Sequence, residues 1–410
     1  MLAASKDTWK ELDKTIMVCV LLLVTAGMMA LFSTAASEES PVLLRDDFSK
    51  QVLWFLIGIM VGSACFLMPS KILRNGAYWL YGLSLVLLVL VLFVGGGKGV
   101  HRWFILGPVR FQPSEIAKIT TILALARYLS DDARDLRRFK DIVVGFAIAI
   151  LPALLILKEP DLGTAIVLLA LILPVFFWAG LSPFLVFLLV SPILVVASAF
   201  NIYTFAFIMI LISGVLLLTR RKLPVLVLVF AGNVMLGAIT PKLWDGLADY
   251  QKNRVLTFLG VQDDPRGAGY QVAQSQVAIG SGKFWGKGWT QGTQTKLRFL
   301  PEQHTDFIFS VIGEEFGFMG VALVLGAYYV LLWRSLQIAR EVKSLFYSIV
   351  VIGCAVLIAV HIIVNVGMTV GLMPVTGIPL PFLSYGGSSM MLNMSLIGLI
   401  LGAAGHRLQH

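Results

Sequence analysis

Phe299-Leu300-Pro301-Glu302-Gln303-His304-Thr305-Asp306-Phe307-Ile308-Phe309 closes a polar segment (241–305) and runs directly into a long apolar stretch. Asp306 thus stands where a water-facing loop meets a hydrophobic helix. An ionisable group at that depth is costly, so it marks a functional site by default. Gly313-Glu314-Glu315 sets two more acids further down the same helix. By helical rise they lie about 12 Å or more below Asp306, which fits a polar contact between helices better than the reacting centre.

Composition extends that reading to the whole chain. Of 410 residues, 58% are hydrophobic and 13% charged, with a mean hydropathy of +0.87. This is the balance of an all-α, polytopic helical membrane protein. The formal net charge of +9 serves orientation and lipid headgroups in such a chain. No basic run with interleaved aromatics points to nucleic acid. Cys19, Cys65 and Cys354 are far apart, fit no metal spacing and read as packing residues. The segment from Ile16 is too long for a cleaved leader and follows Asp7, Glu11 and Asp13, so it reads as a first span.

Apolar runs place spans at 15–34, 51–68, 76–94, 114–130, 142–157, 162–179, 183–200, 202–218, 224–240, 306–333, 346–370 and 387–403. With both termini cytoplasmic, the inner connections collect Lys71 and Arg74; Arg134, Arg137, Arg138 and Lys140; Arg220, Arg221 and Lys222; Arg334, Arg340 and Lys343; and Arg407. That is a consistent positive-inside pattern. The outer side then receives 35–50, 95–113, 158–161, 201, 241–305 and 371–386, which hold nearly all the unusual chemistry. Backbone as irregular as Gly95–Pro113, Lys158–Gly163 and Gly371–Ser389 is tolerated at a membrane only where protein buries it or it lines a wet cavity. One shared outward-facing cavity is expected. The segment 241–305 is too small to bury a core of its own; it is expected to fold onto the membrane part, with 244–259 lying on the bilayer surface and 271–280 forming a short helix.

Within these segments the candidates are specific. Pro113 suits the first helical position, and Glu115 in the first turn complements the helix dipole. Lys118, three residues on, shares its face and can pair with it. A cation in the first turns opposes the dipole, so the pair reads as lining the site, with a capped helix and local ion pair as the plainer alternative. Arg102 is either an interfacial anchor or a guanidinium for phosphate oxygens. His304 either tunes Asp306 or caps the helix, the latter being favoured. There is no GxxxxGK[ST], HExxH or Cys/His cluster, so nucleotide hydrolysis and zinc chemistry have no support.

At this point the chain resembles a known family. His304-Thr305-Asp306-Phe307 with Gly313-Glu314-Glu315, Gln112-Pro113-Ser114-Glu115, Pro160-Asp161-Leu162-Gly163 and Pro379-Leu380-Pro381-Phe382-Leu383-Ser384-Tyr385-Gly386-Gly387-Ser388-Ser389 are similar to the SEDS proteins (shape, elongation, division, sporulation). Asp249-Tyr250-Gln251, Gly292-Thr293-Gln294, Phe299–His304 and Pro374-Val375-Thr376-Gly377 resemble its RodA branch more than its FtsW branch. The resemblance implies one SEDS-type membrane domain over 1–410 with 241–305 as its large extracytoplasmic loop. It implies a peptidoglycan glycosyltransferase that polymerises lipid II at the outer face of the cytoplasmic membrane during elongation. A class B penicillin-binding protein as transpeptidase and other elongation-complex proteins are the implied partners. It carries the essential aspartate onto Asp306 and ten spans onto a chain with twelve apolar runs, the surplus falling in 183–240.

The residues fit that chemistry independently. A carboxylate serves as base for an attacking sugar hydroxyl, and cations meet the charge on a departing lipid diphosphate. Arg102, Lys118 and Arg254 are candidates, as is a divalent ion (Mg or Mn) held by Asp306 and Glu115; Gln112, Asp161, Gln294, His304 and Ser384 complete the expected substrate-binding set. The rival readings are a flippase for a lipid-linked precursor and a silent scaffold. The first is disfavoured by charged motifs on one side, the second by Asp306, Glu115 and Lys118.

Overall fold

The structure, a computed structural model, describes residues 12–35, 42–96, 102–106, 109–219, 222–246, 252, 256, 268–297 and 299–405. Arg220, Arg221, Arg254, Arg407, the motif 249–251 and most of the surface stretch 244–259 lie outside them.

Each expected span falls on a helix: α1 (Lys14–Ala35), α2 (Val42–Leu67), α3 (Ser70–Val94), α4 (Pro113–Leu129), α5 (Phe139–Lys158), α6 (Leu162–Trp178), α7 (Pro183–Ser198), α8 (Ile202–Leu218) and α9 (Leu223–Asp245). After α10 (Ala268–Ser281) and the single turn α11 (Thr293–Lys296) come α12 (Ile308–Glu341), α13 (Leu345–Thr369) and α14 (Gly387–Gly405). Among the described residues, eight helices are long and apolar enough to cross a membrane, and three shorter ones are apolar as well. Their starts are written locally. Pro113 opens α4, while Asp161, Ser182 and Asn201 cap α6, α7 and α8 through their side chains, satisfying amide groups that a helix start leaves unpaired. A feature beyond the helices is a small antiparallel hairpin, β1 (Phe104–Leu106) with β2 (Val109–Phe111), extended by a bridge from Gly96 to Trp103. It delivers the chain to the head of α4.

The contacts group the chain into two compact units. In the unit 180–263, α7, α8 and α9 pack around Val195, Met209, Ile212 and Leu216, and Asn233 on α9 donates to Ser191 on α7 at 3.3 Å. It includes the stretch in which surplus spans were expected. The other unit, 1–179 with 264–410, holds every described candidate residue. There α13 packs against α4, α6, α12 and α14, α2 lies along α14, and α1 along α12. Leu88, Ala117, Ala153, Ile156, Ala165 and Leu168 join α3 to α6 in one apolar core. Trp79, Phe93 and Met60 stand exposed, as side chains facing lipid do.

One helix is broken. At Gly317 the backbone turns to φ 63°, ψ −160° inside α12. A break frees amide and carbonyl groups that hydrocarbon cannot satisfy. The segment after α10 supplies the partners. Phe318 and Met319 donate their amides to the carbonyls of Lys283 and Phe284 at 2.9 and 3.2 Å, and the carbonyls of Glu314 and Glu315 accept from Lys287 and Gly288 at 3.0 Å each. The loop is thereby sewn into the membrane helix. That backbone conformation is essentially closed to other residues and costs about 1–3 kcal/mol when forced, and a Cβ at Gly317 would lie 2.3 Å from the Gly286 amide nitrogen. Gly317→Ala is therefore expected to lower the thermal unfolding midpoint in detergent; an unchanged midpoint would show that the insertion is not what holds the break.

Candidate active site

Asp306 sits in the turn that leads into α12, partly buried. Its carboxyl is pushed up to about 6, first by burial and then by the charge of Glu302, against a hydrogen bond from Thr305. Its amide donates to the Glu302 carbonyl at 3.1 Å, and its own carbonyl accepts from Asn365 on α13 at 2.9 Å. The same Asn365 amide group donates to the Ile378 carbonyl at 2.7 Å. A Cβ placed on Gly377 would lie 3.4 Å from Asp306 Oδ2. The returning segment 376–386 therefore forms one wall of the aspartate's surroundings.

That segment is tied down from several sides. Ser384 Oγ donates to the Thr305 carbonyl at 2.5 Å and accepts from the Leu380 amide at 2.8 Å. The Tyr385 amide donates to the His304 carbonyl at 2.9 Å, and the two rings lie 5.9 Å apart. Gln51 on α2 donates to the Ser384 carbonyl and accepts from the Gly386 amide. Ser384 and His304 are thus brought beside Asp306, held by main-chain bonds. The Ser384 hydroxyl is engaged in bracing the turn.

One turn before Asn365 on the same face of α13, His361 Nε2 lies 3.4 Å from Lys118 Nζ. Lys118 is 1% exposed and bonds Glu115 Oε1 at 2.7 Å. Glu115 Oε2 and Ser114 Oγ are buried without a partner among the described groups. The Glu115–Lys118 pair is enclosed, with polar atoms beside it still to be satisfied by water or ligand.

A third group meets the same wall. Asp161, at the head of α6, accepts from the Thr164 amide at 3.2 Å and hydroxyl at 2.9 Å, and from Gln112 Nε2 at 3.2 Å. A Cβ on Gly163 would lie 2.9 Å from the Thr376 carbonyl, so this turn packs on the segment facing Asp306. Arg102 donates its Nε to the Glu159 carbonyl at 2.9 Å and an Nη2 hydrogen to the Pro160 carbonyl. It supplies positive charge at the end of α5, where carbonyls are unpaired. Glu159 is fully buried and neither carboxyl oxygen has a partner among the described groups. Burial, then the charge of Asp161, pushes it up to about 8 against the pull of Arg102, which makes it neutral near pH 7.

Gln294 is placed elsewhere. Its amide, with the Thr295 amide and hydroxyl, Thr293 Oγ1 and Lys287 Nζ, donates to the carboxylate of Glu314. Glu314 thereby caps α11, and Glu315 accepts from Ser33 on α1. Both acids act as contacts between elements. Among the described residues no group of three or more His, Cys, Asp or Glu side chains is arranged to hold a metal ion. Glu115 Oε1 accepts from Lys118 Nζ, so one oxygen of the two carboxylates expected to hold a divalent ion is already engaged. His361, Asn365, Gly377 and Glu159 were absent from the expected set. A signal existed for the first two: polar residues four apart, hence on one helix face, in an otherwise apolar span.

A bundle of apolar helices with acids, a buried lysine and irregular backbone at the heads of α4, α6 and α12 defines a polytopic membrane protein carrying a built polar site. A model of the FtsW/RodA/SpoVE family, described as a cell cycle protein, matches residues 13–207 and 184–409. The chain belongs to that family. The peptidoglycan glycosyltransferase MrdB of Escherichia coli (strain K12) is 34% identical over 406 residues, covering 98% of this chain and 96% of that one. The peptidoglycan glycosyltransferase RodA of Treponema pallidum (strain Nichols) is 33% identical over 423 residues, covering 95% and 97%. Among solved structures, a chain described under "Structural coordination of polymerization and crosslinking by a peptidoglycan synthase complex" matches with TM-score 0.72 and 31% identity over 97% of this chain and 99% of that one. The rod shape determining protein RodA of Thermus thermophilus matches with TM-score 0.63 and 28% identity over 97% and 98%.

Proposed function

We propose that the chain is a peptidoglycan glycosyltransferase that polymerises lipid II at the outer face of the cytoplasmic membrane, with Asp306 as general base. The observation that carries the role of Asp306 is its placement: a carboxyl raised to about 6, set against Gly377 at the membrane end of a polar loop. In the reaction a sugar hydroxyl attacks the anomeric carbon of the other substrate. The new C–O bond forms as the bond to the lipid diphosphate breaks. The hydroxyl proton passes to Asp306, and the diphosphate leaves with the electron pair. A base with that pKa is ionised at neutral pH yet holds a proton better than an ordinary carboxylate. One base and direct displacement invert the anomeric centre with no covalent intermediate. Lys118 and Arg102 are the cations whose fields favour the departing diphosphate. A lipid-borne substrate arrives laterally in the bilayer, which suits a site carried on a membrane bundle. The similarity to MrdB and RodA enzymes over nearly the whole chain supports the activity. By extension from the synthase complex, a class B penicillin-binding protein is the proposed partner. The assay is purified protein with lipid II, with and without that partner. Polymer is the expected product; translocation in vesicles without polymer would establish a flippase instead.

The reading requires Asp306 outside and both termini in the cytoplasm, as the positive-inside count implies. A cysteine at Thr290 is expected to react with an impermeant thiol reagent in cells whose outer barrier is permeabilised. One at Thr219 is expected to stay protected until the cytoplasmic membrane is opened. Protection at Thr290 would put the site on the wrong side for this chemistry.

A further inference from the structure

Asn365 is fully buried within α13. Its amide group has two hydrogens, and both go to main-chain carbonyls from distant segments: Asp306 at 2.9 Å and Ile378 at 2.7 Å. Its Oδ1 has no partner among the described groups. Between the two clamped carbonyls lies the contact that matters for Asp306. Gly377, at φ +72°, stands where a Cβ would be 3.4 Å from the carboxyl Oδ2. Glycine adopts that backbone conformation freely and allows so close an approach. One side chain thus sets both faces of the contact, the turn bearing the aspartate and the wall opposite it.

We propose that Asn365 is the positioning residue of this site: its amide locks the main chain of Asp306 to the 376–378 wall, so that Gly377 shields the carboxyl from water and fixes its aim. The proposal rests on the reading of Asp306 as the base. Glu302, whose charge acts on the aspartate, and His304 lie on its own turn, with Tyr385 beside His304 on the returning segment; His361 lies on α13 itself, Lys118 and Glu115 on α4, which packs on α13, and Asp161 at the head of α6, whose turn packs on the wall. Asn365 and Gly377 carry no charge, so changing either removes none of these groups and acts on the carboxyl through its position and the access of water to it.

Two substitutions then act in opposite directions. Asn365→Leu removes both clamping bonds at similar volume. The wall loosens, water reaches Asp306, and its charged form is favoured. Gly377→Ala puts a methyl group against the carboxyl and disfavours the charged form by the same physics. The experiment is the pH dependence of lipid II polymerisation by the purified full-length chain, wild type and both variants, with kcat and KM separated. For Asn365→Leu, kcat is expected to fall by about 10²-fold, the order of loss for a misplacement near 1 Å. KM should stay near the wild-type value, and the acid midpoint should move down toward the ordinary carboxylate range. For Gly377→Ala the midpoint is expected to move up. Damage to the fold alone lowers rates without moving the midpoints apart. Midpoints that stay put or move together, beside a wild type with an acid limb, overturn the clamp alone. If Asn365→Leu does not fold, an unmoved or lowered midpoint in Gly377→Ala overturns it. A wild type with no acid limb near pH 6 removes the base and the clamp together.

Discussion

Asp306→Asn is expected to abolish glycan polymerisation by the purified protein while leaving it folded. The loss should be at least the 10²–10⁴-fold typical of a missing general base. Asparagine keeps the volume, and the bond that fixes this turn, from Asn365 to the residue-306 carbonyl, is made by the main chain and survives the change. What disappears is the proton acceptor. The pH dependence gives a second handle. Because burial and Glu302 push the Asp306 carboxyl up to about 6, the base form is lost as pH falls through that value, and the wild-type rate should fall with it. Near-normal strand synthesis by folded Asp306→Asn, read on a gel of glycan products, would remove Asp306 from the chemistry.

The helices were legible in the sequence because hydrocarbon leaves an apolar stretch little choice: each expected span lies on a helix, and α4 starts at the expected Pro113. Features set by pairing between distant segments were not. Nothing local separates Gly317 from a glycine tolerated in mid-helix; the break exists because residues 283–288 arrive to satisfy its backbone. The hairpin at 104–111 is too short for its alternation to stand out. At the site, Asp306, Glu115 and Lys118 were visible as ions where ions are expensive. Their surroundings needed coordinates. Arg102 read as either an interfacial anchor or a guanidinium for phosphate oxygens, and in the fold it reaches back to the carbonyls of Glu159 and Pro160. Gln294 closes a motif that resembles the family's, and its main-chain amide goes to Glu314. Asn365 carries no charge, so its reach to two carbonyls on separate segments had no counterpart in the spacing of acids and bases.

The buried pair on α4 separates stability from activity. Lys118 is 1% exposed and Glu115 8%, with 2.7 Å between their charged atoms. Lys118→Met leaves the Glu115 carboxylate enclosed and unpaired, which costs about 3–5 kcal/mol in comparable buried pairs. A marked drop in the unfolding midpoint is expected, together with loss of polymerisation. The double variant Glu115→Gln/Lys118→Met removes both charges, and neutral replacements of a buried pair are often harmless to stability. Its midpoint is therefore expected to return toward the wild-type value. Activity is expected not to return. Lys118 Nζ also faces His361, one helical turn from the residue that clamps Asp306, and a neutral side chain there supplies no field to a departing diphosphate. Measured side by side, melting and polymerisation should part company in the double variant. Recovery of both together would make the pair a brace for α4 and move the positive charge that the reaction requires to some other residue.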